Sequence, residues 1–170
     1  MRAVRIPIGS DIVVALWIVA LFAYCTPAGA TDLKDFTSDG CNLFPDGTIS
    51  DGAKWCECCL RHDIAYWQGG TEEERKQADV ALRDCALERT GDKALAETMY
   101  LGVRSGGHPA YFTWYRWAYG WPYGRGYKAM NFEEQEAGRA KLMDYEKHHP
   151  GEYCSEEPVP SGKYNRGEGK

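Results

Sequence analysis

The stretch Cys56-Glu57-Cys58-Cys59-Leu60-Arg61-His62-Asp63-Ile64-Ala65-Tyr66 decides how this chain is read. A helix is expected from about Lys54 to Trp67, with Gly69-Gly70 as its stop. Residues four apart lie one above another on a helix. Cys58, His62 and Tyr66 therefore form one stripe, and Cys59 and Asp63 form the next. His62 and Asp63 point to adjacent sectors, so one side chain can take a proton while its neighbour holds a cation beside the reacting bond.

Working outward, Thr71 opens a second helix. Glu74 completes a capping box, and Glu72 and Glu73 favour the positive end of the helix dipole. This helix is expected to run to Arg89, with Gly91 just past its end. Within Ala78-Asp79-Val80-Ala81-Leu82-Arg83-Asp84-Cys85, Asp79 lies close to two turns before Cys85 on a similar face. If Cys58 bonds to Cys85, the two helices are clamped antiparallel and Asp79 is carried alongside His62. A third helical pattern starts at Asp92 and ends near Ser105-Gly106-Gly107, with Leu95, Met99 and Leu101 among its apolar positions. A polar helix spans about Glu133 to Lys147.

The N-terminus reads as a leader. Arg2 and Arg5 precede the unbroken apolar run Ile12 to Tyr24, and Thr26-Pro27-Ala28-Gly29-Ala30 ends in a small-x-small cleavage pattern. Residues 1–30 are thus expected to be a signal peptide. Residues 31–150 would form one domain, and 151–170 a mostly flexible tail rich in Glu, Lys, Gly and Pro. Of seven cysteines, six lie beyond the leader, an even number that in an exported chain argues for disulfides and a secreted or periplasmic location. The net charge is −5, and no Lys/Arg cluster suited to neutralising phosphates occurs, so nucleic acid is not an expected partner.

Cys58-Cys59-x-x-His62-Asp63-x-x-Tyr66 resembles the signature of the secreted phospholipases A2. Asp79 followed by Cys85 is similar to that family's second catalytic aspartate and its helix cysteine, and Asp39-Gly40-Cys41 resembles its calcium loop. The resemblance covers Asp39 to about Leu87. It implies a mainly α fold: a disulfide-crosslinked antiparallel helix pair with a calcium-binding loop. It also implies a Cys41–Cys59 disulfide holding that loop, which leaves Cys56 and Cys154 as the remaining pair. His62 would activate water, with Asp79 and Tyr66 orienting it. Asp63 and the carbonyls of Gly40, Asn42 and Phe44 would bind Ca2+. The implied reaction is calcium-dependent hydrolysis of the sn-2 ester of glycerophospholipids at a membrane surface or micelle.

The chain departs from the family in three places. Asn42-Leu43-Phe44-Pro45-Asp46-Gly47 replaces the glycine-rich loop of the animal enzymes. The link from His62 to Asp79 is too short for their β-hairpin, and little room precedes Cys41 for their N-terminal helix. The compact bacterial and viral-capsid forms are the nearer comparison. A secreted binding or inhibitory protein on the same scaffold, without turnover, is the alternative.

Plainer readings compete at each position. His62 could be an inert surface histidine, or a zinc ligand with Cys56, Cys58 and Cys59. Asp63 could answer Arg61, and Asp79 could pair with Arg83. Asp84 rivals Asp79 as the orienting acid, and Asp46 rivals the loop as a metal ligand. Trp114, Trp117, Trp121, Tyr111, Tyr115, Tyr119 and Tyr123 are expected to be mostly core with one or two rings exposed, the other reading being a membrane-interface belt. Arg116 and Arg125 suit either phosphate headgroups or ordinary surface pairing.

Overall fold

The computed structural model describes residues 31–38, 40–41, 44–45, 47–48, 54–150 and 154. The expected leader, the loop positions Asp39, Asn42 and Asp46, and the expected tail apart from Cys154 lie outside the described residues. Among the described residues four helices carry the fold: α1 (Cys56–Gln68), α2 (Glu72–Thr90), α3 (Lys93–Gly106) and α4 (Phe132–His148). None of the described helices is long and apolar enough to cross a membrane.

The sequence punctuation works as expected. Thr71 caps α2, with its side chain accepting from Glu74 N–H and the Glu74 carboxylate accepting from Thr71 N–H. Gly91 closes α2 in the left-handed conformation. Asp92 caps α3, and Asn131 with Glu134 forms a second capping box at α4. All four helices fall within two residues of their expected bounds.

α1 and α2 run antiparallel, as the order of their cross-contacts shows. Cys58 pairs with Cys85 at a Cα–Cα distance of 5.8 Å, His62 meets Asp79, and Tyr66 meets Arg75. The other cysteine pairs are Cys41–Cys59 and Cys56–Cys154, with Cα–Cα distances of 5.1 and 5.5 Å. With Cys56, Cys58 and Cys59 all so paired, the zinc-cluster reading of His62 has no thiolate left to use. α2 packs against α1 on one side and α3 on the other.

Two apolar cores flank the middle of α1. One gathers Trp55, Leu82, Ala86, Ala96 and Met99 around the cysteine pairs. The other joins Leu33 and Phe36 to Tyr66, Trp67, Trp117 and Trp121. Trp67 is completely buried, which stabilises the fold by roughly 1.5–3 kcal/mol relative to an exposed ring.

The aromatic segment divides its duties. Trp117 and Trp121 are core, and their indole N–H groups donate to the carbonyls of Gly70 and Gln68. Gly120 N–H donates to Trp67 O. Residues 117–121 thereby meet the carbonyls of Trp67 and Gln68, two that α1 cannot pair within itself, and that of Gly70 just beyond it. Tyr111, Trp114 and Tyr123 are about half exposed, so three of the seven rings face out rather than one or two. Burial went to those rings whose N–H could reach a carbonyl. Arg116 is buried and donates to the carbonyls of Trp117, Ala118 and Trp121. Arg125 holds both carboxylate oxygens of Glu134, at 3.0 and 2.8 Å. Neither arginine is arranged as a free headgroup site.

Two expectations follow. The Cys58–Cys85 pair spans 27 residues, so replacing both by alanine should lower unfolding free energy by about 3.5 kcal/mol on chain-entropy grounds. Urea unfolding measures this, and a loss well under ~1 kcal/mol would show that packing alone holds the pair. The Arg125 hydrogen bonds bring Glu134 down from 4.5 to about 2 against the opposing push of burial, with the Asn131 N–H assisting. A folded value below the unfolded one gives stability that is full above pH 4.5 and lost as pH falls through about 2. Glu134→Gln should therefore be less stable at neutral pH and flatter across that acid window, as read from urea midpoints against pH.

Candidate functional site

His62, Asp63 and Tyr66 sit on the middle of α1, on the wall of a cavity of about 510 Å³. Gly40, Cys41 and Phe44 come to it from the loop, Leu82 from α2, and Met99, Gly102, Val103 and Gly106 from α3. Of the expected site residues, the described ones therefore converge, with Asp79 directly behind His62. Asn42 lies outside the described residues.

Asp79 is fully buried, and its two oxygens have different partners. Oδ1 accepts from His62 Nε2 at 2.9 Å and from Tyr66 Oη at 2.8 Å. Oδ2 accepts from Arg104 Nη1 at 2.6 Å, with Arg75 Nε 3.9 Å away. Burial pushes this carboxyl up, but the His62, Arg104 and Tyr66 interactions outweigh burial and hold it below the usual carboxylate range. Its contribution to stability is present above that range and is lost as pH falls through the lowered value.

The protons follow from these contacts. An ionised carboxylate only accepts, so His62 Nε2 carries a hydrogen and, in the neutral ring, Nδ1 carries the lone pair. No described residue bonds Nδ1. Arg75 Nε donates to Tyr66 Oη at 3.1 Å, leaving the phenol proton for Asp79 rather than for the more distant Val103 carbonyl at 3.3 Å. Burial, then the negative charge of Asp79, pushes the Tyr66 hydroxyl well above its ordinary value. Tyr66 is therefore a permanent donor.

Three residues of this network escaped the sequence reading. Arg75 is buried and also donates to Tyr127 Oη and to the carbonyls of Val103 and Arg104. Its position one turn before Asp79 was the available signal. Arg104 comes from the end of α3, 25 residues away, and left no local trace. Ser38 donates to Asp63 Oδ2 at 2.5 Å while accepting from Gly40 N–H at 3.2 Å. A serine two residues before a glycine is a turn signal, but nothing in it announces Asp63.

The plainer alternatives fare differently. Arg83 pairs with Asp84, both of them on the outer side of α2, leaving Asp79 to His62. Arg61 pairs with Glu57. Asp63 is buried and is the one carboxylate on the cavity wall among the described residues.

Comparison of the chain with protein-family models, curated proteins and solved structures finds no match. The geometry stands alone. Among the described residues no group of three or more His, Cys, Asp or Glu side chains could hold a metal ion. A cation at Asp63 would have to complete its shell with peptide carbonyls, and one carboxylate plus carbonyls is an all-oxygen set of the kind that suits Ca2+ and not a soft metal.

Chemically, the arrangement offers a base with a fixed tautomer, an anion ready to stabilise its protonated form, and a second carboxylate on the same wall. The Tyr66 ring is held in place by Trp117, edge-on at 5.0 Å, and by Gly107, where a Cβ would come within 2.5 Å of the phenol oxygen. Gly107→Ala should displace that ring at a cost of about 1–3 kcal/mol. Thermal unfolding tests this, and an unchanged midpoint would show that the ring can yield.

Proposed function

We propose that this chain is a calcium-dependent ester hydrolase of the secreted phospholipase A2 type, cleaving the sn-2 ester of glycerophospholipids. One observation carries the reading: His62 Nε2 is committed to buried Asp79, which turns the remaining ring nitrogen into a base beside Asp63 on the wall of an apolar cavity. The Cys58–Cys85 and Cys41–Cys59 pairs and the Tyr66 hydroxyl support it, because each joins residues that the family motifs match.

In this mechanism a water in the cavity gives its proton to His62 Nδ1 as its oxygen attacks the ester carbonyl carbon. Asp79 stays ionised and stabilises the imidazolium, with Tyr66 and Arg104 keeping its oxygens in place. As the tetrahedral intermediate collapses, His62 returns the proton to the departing glycerol oxygen, giving a fatty acid and a lysophospholipid. Asp63 and the carbonyls of Gly40, Asn42 and Phe44 would hold Ca2+, which when bound polarises the carbonyl and offsets oxyanion charge. Ser38 fixes the Asp63 carboxylate from the side. The substrate surface is a phospholipid membrane or micelle, reached after export to a secreted or periplasmic location in keeping with the cysteine pairs.

Calcium-dependent release of lysophospholipid from mixed micelles should fall by two to four orders of magnitude, roughly, in His62→Gln. Asp63→Asn should abolish the dependence on calcium. If folded wild-type protein releases no more product than His62→Gln at saturating calcium, the alternative of a non-catalytic binding protein on this scaffold takes its place.

A further inference from the structure

A cation held by one carboxylate and peptide carbonyls has little charge to grip it. Its affinity then depends on how well those oxygens are placed before it arrives. Asp63 sits on α1 and Gly40 on the loop, and the Ser38 side chain touches both. Its hydroxyl donates to Asp63 Oδ2 at 2.5 Å and accepts from Gly40 N–H at 3.2 Å. The accepted bond orients the hydroxyl and leaves its own hydrogen for the carboxylate. Gly40 stands at φ 80°, in the left-handed region that a Cβ disfavours, so the short turn from Ser38 is specified by sequence.

Ser38 is in turn held from behind. Leu33 and Phe36 are buried in the core that contains Trp67 and Trp117. Lys34 N–H donates to Gly120 O at 2.8 Å, and Trp67 Nε1 donates to Lys34 O at 3.0 Å. Tyr119 Oη donates to Thr37 O at 2.7 Å, one residue before Ser38. Beyond Gly40, the Cys41–Cys59 pair fastens the loop to α1. Gly40 therefore lies between two fastened points, and Asp63 is bonded to the first of them. A buried carboxylate needs a donor in any case. That need does not require the same hydroxyl to grip the loop as well.

We propose that Ser38 is a positioning residue for a hard divalent cation, its hydroxyl setting the Asp63 carboxylate and the Gly40 peptide against each other before the ion binds. This rests on the hydrolase reading only in assigning the cation to Asp63 and the loop. The binding itself needs no turnover.

Calcium titrated into the chelator-treated protein, with affinity read by calorimetry, is the test. Ser38→Ala should weaken calcium by roughly 10- to 100-fold, the usual loss when a partner of a metal-binding carboxylate is removed. Ser38→Thr keeps the hydroxyl and should bind close to wild type, a rescue that a lost packing contact would not give. Should Ser38→Ala not fold, Tyr119→Phe releases Thr37 O and should weaken calcium in the same direction. Wild-type affinity in folded Ser38→Ala, or in Tyr119→Phe where only that variant folds, overturns the proposal. So does a loss that Ser38→Thr fails to recover, or a wild type that binds no calcium. In the same preparations, calcium binding weakened by Ser38→Ala without any ester cleavage would remove the hydrolase reading and keep this one. Calcium-dependent cleavage with unchanged affinity in Ser38→Ala would do the reverse.

Discussion

A fully buried, ionised carboxylate is the most demanding thing in this molecule, and Asp79 is tolerable only because both oxygens are occupied. Taking such a charge out of water costs several kcal/mol after relaxation, and only well-placed donors offset that. The donors are His62 and Tyr66 from α1 and Arg104 from α3, while Arg75 from α2 donates to the Tyr66 hydroxyl and brings its charge within 3.9 Å of Asp79. Arg75 then reaches Tyr127 and so ties in the aromatic segment. α1, α2 and α3 thus all contribute to one need, to keep a negative charge solvated by protein. On the hydrolase reading the same constraint would direct reactivity, since a carboxylate saturated by fixed donors orients a base without competing for its proton.

What sequence alone could reveal divides along physical lines. Helix limits were legible because Thr71, Asp92, Gly69 and Gly91 act through their immediate neighbours. The His62–Asp79 contact was legible because two helical periodicities and one conditional crosslink fix it. Arg104 was not, since its approach depends on how α3 docks against α2, and that is decided by packing. Ser38 was hidden for the same reason: its hydroxyl meets Asp63 across 25 residues of chain.

The aromatic segment shows the limit of composition as a guide. Seven rings in a short span favour a core over a membrane belt without saying which rings go inside. What separates Trp117 and Trp121 from Trp114 is hydrogen bonding. Two indoles find carbonyls at the end of α1, and the third packs edge-on against Tyr115 at 5.2 Å and stays half exposed. A residue type that is large, apolar and a single donor goes inside where its donor is needed.

Three cysteines within four residues of α1 bear on how the molecule is made. In an unfolded chain Cys56, Cys58 and Cys59 are nearly equivalent targets for any incoming sulfur, and exchange among them is chemically easy. Helix formation ends that equivalence, because each step of about 100° turns the next thiol to a new quarter. Cys58 then looks toward α2 and Cys59 toward the loop. Oxidation before the helix forms would trap wrong partners, so a compartment that reshuffles bonds until α1 is coiled suits this chain better than one that merely oxidises it.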